Sequence, residues 1–196
     1  MLAVNTAIVI ASVFLMEALA YLTHRYIMHG PIGWGWHKSH HEETEGIFEK
    51  NDLYAVVFSV VSGGIIASGI AGVWPLRQIG LGMMIYGVLY FIVHDGLVHQ
   101  RWPFRYVATK GYLRRLVQAH KMHHAVQGRD GCVSFGFLYA PPLVKLRARL
   151  AELTKKRRTA EAENRLKAGL GAATVRRDRT PSDGVLRAQP GSPSRQ

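Results

Sequence analysis

A single cysteine, Cys132, stands in 196 residues. One thiol cannot form an internal disulfide, a zinc site built from several thiolates, or a protein-bound iron–sulfur cluster. No Gly-x-Gly-x-x-Gly fingerprint occurs, so no dinucleotide site is read, and electrons for any redox reaction must come from another protein. Acidic residues are few, 13 against 25 lysines and arginines. Basic residues are themselves scarce in the first half: only Arg25, Lys38, Lys50 and Arg77 precede His99, and the other 21 follow it. The length is enough for one domain with a tail and leaves little room for a second catalytic domain.

Three stretches are apolar with few charges: residues 2–22, 53–73 and 79–93. The first gives about 31 Å of helix, matching a bilayer core of about 30 Å. Ala18-Leu19-Ala20 has the look of a signal-peptide cleavage site, but no basic region precedes it, so the segment is read as a span. Glu17 is costly in lipid and is expected to face other helices or the histidine-rich metal region. Gly64, Ser68 and Gly72 form a small-residue ridge expected to make a close helix contact. Trp74-Pro75-Leu76-Arg77-Gln78 allows only an antiparallel return. The expected fold is an all-α integral membrane protein of about three transmembrane helices plus interfacial helices.

All ten histidines fall into a repeated pattern. A spaced pair, His24 and His29, is followed by a triplet, His37, His40 and His41. A second pair, His94 and His99, is followed by a second triplet, His120, His123 and His124. Triplet members at i, i+3 and i+4 share one helix face. Imidazole is the commonest protein ligand for transition metals, and two pairs with two triplets can surround two ions. Any one interfacial histidine is by default a polar anchor; ten in this arrangement point to a polynuclear metal site. Pair members five apart point about 140° away from each other on an α-helix. Each pair therefore converges only if its helix ends between them, as Gly30-Pro31 and Gly96 suggest. Asp95 and Glu42, with Glu43 and Glu45, are candidates to accept imidazole N–H groups behind the ligands. The plainer readings are a helix cap for Asp95 and solvated surface for the glutamates.

Two spans lie between the clusters, so both face one compartment. Arg25, Lys38 and Lys50 flank the first cluster and Arg101, Arg105, Lys110, Arg114 and Arg115 follow the second pair. By the positive-inside rule the site is expected on the cytoplasmic side, with the N-terminus outside. Residues 111–126 read as a helix along the membrane surface. Residues 132–144, apolar and broken by proline, read as an interfacial or re-entrant segment closing the site. Tyr86, Tyr90 and Phe91 are read as core packing or an aromatic belt before a substrate tunnel. The expected organisation is a membrane domain over 1–150 and a basic tail over 151–196. That tail is amphipathic to about 170, and from Gly171 onward it is too rich in Gly, Ala, Arg, Pro and Ser to bury a core and is expected to be disordered. Nucleic-acid binding is not expected, because positive-inside topology accounts for the basic excess.

Ligand type does not choose among iron, zinc, copper and nickel. Resemblance does. The set His24-x4-His29, His37-x2-His40-His41, His94-x4-His99, His120-x2-His123-His124 resembles the signature of the membrane di-iron fatty acid hydroxylase and desaturase superfamily. The stretches HRYIMHGPIGWGWHKSHHEE, EKNDLYAVVF, YFIVHDGLVHQRWPF, QAHKMHHAV and GCVSFGFLYAPP are similar to the bacterial carotenoid hydroxylases within it. The likeness spans roughly residues 15–145 and carries nothing over to the tail.

That resemblance implies a monooxygenase that uses O2, two non-haem iron ions held by the ten histidines, and an external donor such as ferredoxin with its reductase. The implied substrate is a carotenoid entering from lipid and hydroxylated at carbon 3 of its β-ionone ring, so that β-carotene becomes zeaxanthin through β-cryptoxanthin. Ketolated carotenoids, canthaxanthin giving astaxanthin, are implied too. Three rival readings stand beside it. A fatty acid or sterol hydroxylase or desaturase differs in product. A metal transporter would place its site near the bilayer midplane rather than at helix ends. A haem protein needs only one or two axial histidines and leaves the triplets unexplained.

Overall fold

The structure, a computed structural model, describes residues 1–42, 48–103 and 105–177. Among them all regular structure is helical: α1 (Leu2–Leu22), α2 (Trp34–His41), α3 (Asp52–Ile70), α4 (Leu76–Tyr90), α5 (Gly111–His124) and α6 (Leu143–Arg177). α1 continues into a π-helical turn at Thr23–Met28, and α4 into another at Phe91–Val98. Three of these helices, Leu2–Met28, Asp52–Ile70 and Leu76–Val98, are long and apolar enough to cross a membrane. The protein is an all-α integral membrane protein. Its outward faces carry side chains suited to lipid, with Phe14, Val60 and Ile70 exposed by 75%, 69% and 71%.

α4 is the middle helix, with α1 and α3 packed against it. Two of its glycines explain how closely they approach. A Cβ at Gly80 would stand 2.6 Å from Ile66 Cγ1 of α3, and one at Gly82 would stand 2.5 Å from Ser12 Cβ of α1. The expected ridge of Gly64, Ser68 and Gly72 is not this contact. A Cβ at Gly64 or Gly72 would meet nothing within 4 Å, and the Ser68 hydroxyl turns back to the Gly64 carbonyl at 3.0 Å. Small residues at intervals of four mark a smooth face, but only the neighbour's position decides which smooth face is used.

Two apolar clusters hold the polar end together. Met16, Ala20, Tyr86 and Phe137 form one, joining α1 and α4 to the loop after α5. Leu116, Ala119, Val133, Ala140 and Leu146 form the other, with Leu150 and Leu153 against it. The compact unit holding the site runs Met1–Thr154. A second unit begins at Lys155 and consists, where described, of the rest of α6. That helix reaches Arg177, beyond the expected stop at 171. The remainder of the basic tail, from 178, lies outside the described residues.

Candidate metal centre

The most deeply buried large side chains among the described residues are not apolar: they are His24, His37, His94 and His123, each under 2% exposed. The local backbone explains how they come to share one place. In the π-helical turn after α1 the His29 N–H donates to the His24 carbonyl at 3.0 Å, and after α4 the His99 N–H donates to the His94 carbonyl at 2.9 Å. An i→i+5 bond brings residues five apart to one side. The pairs converge through this widened turn and not, as α-helical geometry required, through a helix ending between the partners. Gly30 then lets the chain turn, since a side chain there would run into the Tyr26 carbonyl. The turn delivers α2, whose three histidines are all buried.

The rings divide into two groups. His24, His29, His37 and His123 can bring four ligand atoms within 4.8 Å of one another, and so can His40, His94, His99 and His120. His41 joins the first through Nε2 contacts of 3.2 Å to His37, and His124 joins the second at 2.9 Å from His120. His41 and His124 stack on each other across the divide with centroids 4.5 Å apart. Each triplet is therefore split. The members four residues apart stay together, and the remaining one, His40 or His123, crosses to the other group.

The outer nitrogens show what the inner ones can do. Nδ1 of His24 donates to the carbonyl of Phe135 at 2.9 Å, His29 to Arg129 at 2.7 Å, His41 to Val126 at 3.0 Å and His123 to Val133 at 3.0 Å. A carbonyl only accepts, so these Nδ1 atoms carry the proton and each Nε2 presents a lone pair. Yet Nε2 atoms face each other at 3.1 Å in His24–His37, His29–His37, His29–His123 and His40–His94. Lone pairs in such contact repel unless a cation lies among them. Nitrogens bound at about 2.1 Å and at right angles stand about 3.0 Å apart. The donor set fits metal ions, and both groups can bind one.

Side chains complete the outer layer. Nδ1 of His94 donates to Asp95 Oδ1 at 2.7 Å. Glu42 does not serve this role: it is half exposed and paired with Lys38 at 3.1 Å. The carboxylate behind His40 is Glu49, at 2.8 Å, and the amide oxygen behind His37 is that of Asn51, at 2.7 Å. Glu43 and Glu45 lie outside the described residues. Sequence reasoning missed Glu49 and Asn51 although both stand just before α3, where a returning chain has to pass the site. It also missed the four carbonyls, which carry no side-chain signal. The buried Cys132 is within reach of His29, His41 and His123, while its thiol turns to the carbonyls of Val126 and Gly128. Arg101 clamps Asp52 with bonds of 2.9 and 2.8 Å and holds the start of α3 in place.

Burial keeps these imidazoles neutral. It pulls His37 down to about 3, with His29 and His41 adding to the effect, and His41 to about 4. Burial and then Arg101 bring His99 to about 4. His40, His120 and His123 are held well below the usual range by burial first and by other histidines second. Neutral imidazole is the form that binds metal.

A cavity of about 390 Å³ lies between α1, α3 and α4, and its lining includes Tyr90, Asp95 and Phe137, which touch the histidine rings. Phe58, Ser62, Met83 and Gly87 line its outer part; Tyr90, Asp95 and Phe137 line its inner part. Tyr90 stacks on His94 at 4.6 Å and Phe137 on His24 at 5.0 Å, so one ring separates the cavity from each histidine group. Tyr86, Tyr90 and Phe91 all line it, and Tyr86 and Tyr90 also pack in the cluster of Met16, Ala20 and Phe137. Residues 132–142 supply two of the accepting carbonyls, those of Val133 and Phe135, together with Phe137.

The chain has well-matched relatives. It is 65% identical over 148 residues to a beta-carotene hydroxylase of Pantoea ananas, covering 76% of this chain and 84% of that one. It is 64% identical over 141 residues to a beta-carotene hydroxylase of Paracoccus sp. (strain PC1), covering 71% and 86%. A chloroplastic beta-carotene 3-hydroxylase 2 of Arabidopsis thaliana is 37% identical over 134 residues, covering 66% and 43%. No solved structure matches. The fatty acid hydroxylase family model matches residues 9–140, which takes in all ten histidines and the cavity. With its paired histidine groups at the ends of membrane-length helices, the chain belongs to the fatty acid hydroxylase family.

Proposed function

We propose that this protein hydroxylates carotenoids at carbon 3 of the β-ionone ring, converting β-carotene to β-cryptoxanthin and then zeaxanthin, and canthaxanthin to astaxanthin. One observation carries the reading: a largely apolar cavity of about 390 Å³ between the membrane-length helices is lined by Tyr90 and Phe137, the two rings stacked on His94 and His24. A hydrocarbon ring end enters such a space from lipid without crossing water. The identity to beta-carotene hydroxylases supports the same substrate class.

The metal ligands in this reading are His24, His29, His37, His41 and His123 for one ion and His40, His94, His99, His120 and His124 for the other. Two iron ions bound there would supply the activation of O2. The reaction places one oxygen atom in a C–H bond and releases the other as water, using two electrons and two protons. The chain's own residues set the conditions. The carbonyls of Phe135, Arg129, Val126 and Val133, with Glu49, Asp95 and Asn51, hold the Nδ1 protons and aim the Nε2 atoms inward. Tyr90 and Phe137 wall the groups off from the cavity and exclude water from it. Electrons come from an external donor, ferredoxin with its reductase. The basic residues around the clusters support a site on the cytoplasmic side of a bacterial cytoplasmic membrane.

The test is expression in a colourless host that makes β-carotene, with product identification and iron analysis of the purified protein. Zeaxanthin and about two irons per chain are expected. Unchanged β-carotene beside hydroxylated or desaturated fatty acids or sterols would transfer the function to those lipids. Metal uptake into vesicles with no turnover would make it a transporter.

A further inference from the structure

Glu17 is an acidic residue deep in the first membrane-length helix, where a carboxyl group needs full compensation. It has that compensation from one loop. Its Oε1 accepts from the backbone N–H groups of Phe137, Leu138 and Tyr139 at 3.0, 3.1 and 2.9 Å. Its Oε2 accepts from Leu138 N–H at 3.1 Å and from the Tyr86 hydroxyl at 2.8 Å. Three successive amides turned to one group form an anion-binding nest. Gly136 permits the approach, because a Cβ there would stand 2.8 Å from Glu17 Oε1 and 2.7 Å from the Tyr139 carbonyl. The loop has neither helix nor strand to hold it over residues 132–142. What it carries is Phe137. That ring lies parallel to His24 at 5.0 Å, edge-on to His94 at 5.4 Å and 6.4 Å from His120, and it faces the cavity. It touches both histidine groups from the substrate side.

We propose that Glu17 is a positioning residue: by gathering the amides of residues 137–139 it seats the Phe137 ring at the inner end of the cavity, and that ring decides which carbon of the substrate faces the metal pair. This rests on the hydroxylase reading above. A ring seated by main-chain bonds is a firmer stop than one held by packing alone, because its backbone cannot slide along the helix. Releasing it lets the substrate ring advance or roll by the distance between neighbouring carbons. The site of hydroxylation, and not only the rate, then changes.

The experiment compares wild type, Glu17→Gln, Glu17→Asp and Phe137→Leu in the β-carotene host, with chromatographic assignment of hydroxylated positions and metal content of each purified protein. Glu17→Gln keeps the volume but turns an acceptor into a donor against donating amides. The expected result is wild-type metal content in the variants, a fall of about tenfold in 3-hydroxylated product for Glu17→Gln and Phe137→Leu, and new product at carbons 2 and 4. Glu17→Asp, which keeps both acceptors, restores part of the preference for carbon 3. If Glu17→Gln does not accumulate, the same shift in Phe137→Leu and a milder one in Glu17→Asp support the proposal. Wild-type product positions in both of those variants overturn it. Loss of metal in Glu17→Gln with unchanged product positions also overturns it, since Glu17 would then only support the metal groups. A wild-type protein that hydroxylates no carotenoid defeats the functional reading instead, which the wild-type lane alone decides.

Discussion

The backbone amide of His99 is bonded to the carbonyl of His94 at 2.9 Å, so the two ligand candidates of the second pair are also the two ends of one π-helical hydrogen bond. His29 and His24 repeat the relation at 3.0 Å. The extra residue in each turn is what aligns side chains spaced by five. Removing one residue between His94 and His99, Leu97 for instance, leaves a spacing of four, which an α-helix aligns to within about 40°. Adding one leaves a spacing of six, about 120° out of alignment. The deletion is expected to retain most of the metal and the insertion to lose about half of it, the share of the second group. Metal analysis of the two purified variants checks this; equal retention would mean that the turn does not set the alignment.

The carboxylates near α2 differ in what they touch. Glu49 bonds to a buried imidazole, whereas Glu42 pairs with Lys38 at the surface. Glu49→Ala is expected to weaken metal binding by about 10–100-fold, as loss of a group orienting a ligand does. Glu42→Ala is expected to change it less than about twofold, because exposed ion pairs contribute little. Chelator titration of the two variants separates them. A matching loss in both would show that only local charge matters.

Metal removal has its own signature. Without cations the facing Nε2 lone pairs, 3.1 to 3.2 Å apart, repel one another inside a buried site. A chelated sample is expected to unfold at a lower temperature, and Fe(II) at about 100 times its Kd should return about 2.7 kcal/mol of stability. Thermal unfolding in detergent, with and without added iron, measures this. No difference would mean that the histidine groups hold together without metal.

Gly87 lines the cavity, and a Cβ built there meets nothing within 4 Å. Gly87→Leu should therefore fold, with the helix itself favoured by about 0.8 kcal/mol, while its side chain fills space meant for substrate. Carotenoid turnover is expected to fall about tenfold or more at unchanged metal content, a loss comparable to misplacing a bound substrate. Activity kept at the wild-type level would exclude this cavity as the substrate path.

Three helical spans, the return of both histidine clusters to one end, and all ten histidines as a set were legible in the chain itself. Apolar length, turn residues and spacing are local properties that need no knowledge of neighbours. The division of those histidines was not legible. His40 and His123 cross to the opposite group because α2 and α5 meet with their histidine faces interleaved. Periodicity assigns a face to each helix but not the order in which two faces mesh. Glu49 displaced Glu42 for the same reason: nearness along the chain favoured Glu42, but the chain entering α3 sets Glu49 behind His40. The carbonyls that hold four of the rings, the seat of Phe137 on Glu17, and the cavity were decided by tertiary structure alone. Backbone oxygens belong to every residue alike, and an enclosed space exists only once the walls have come together.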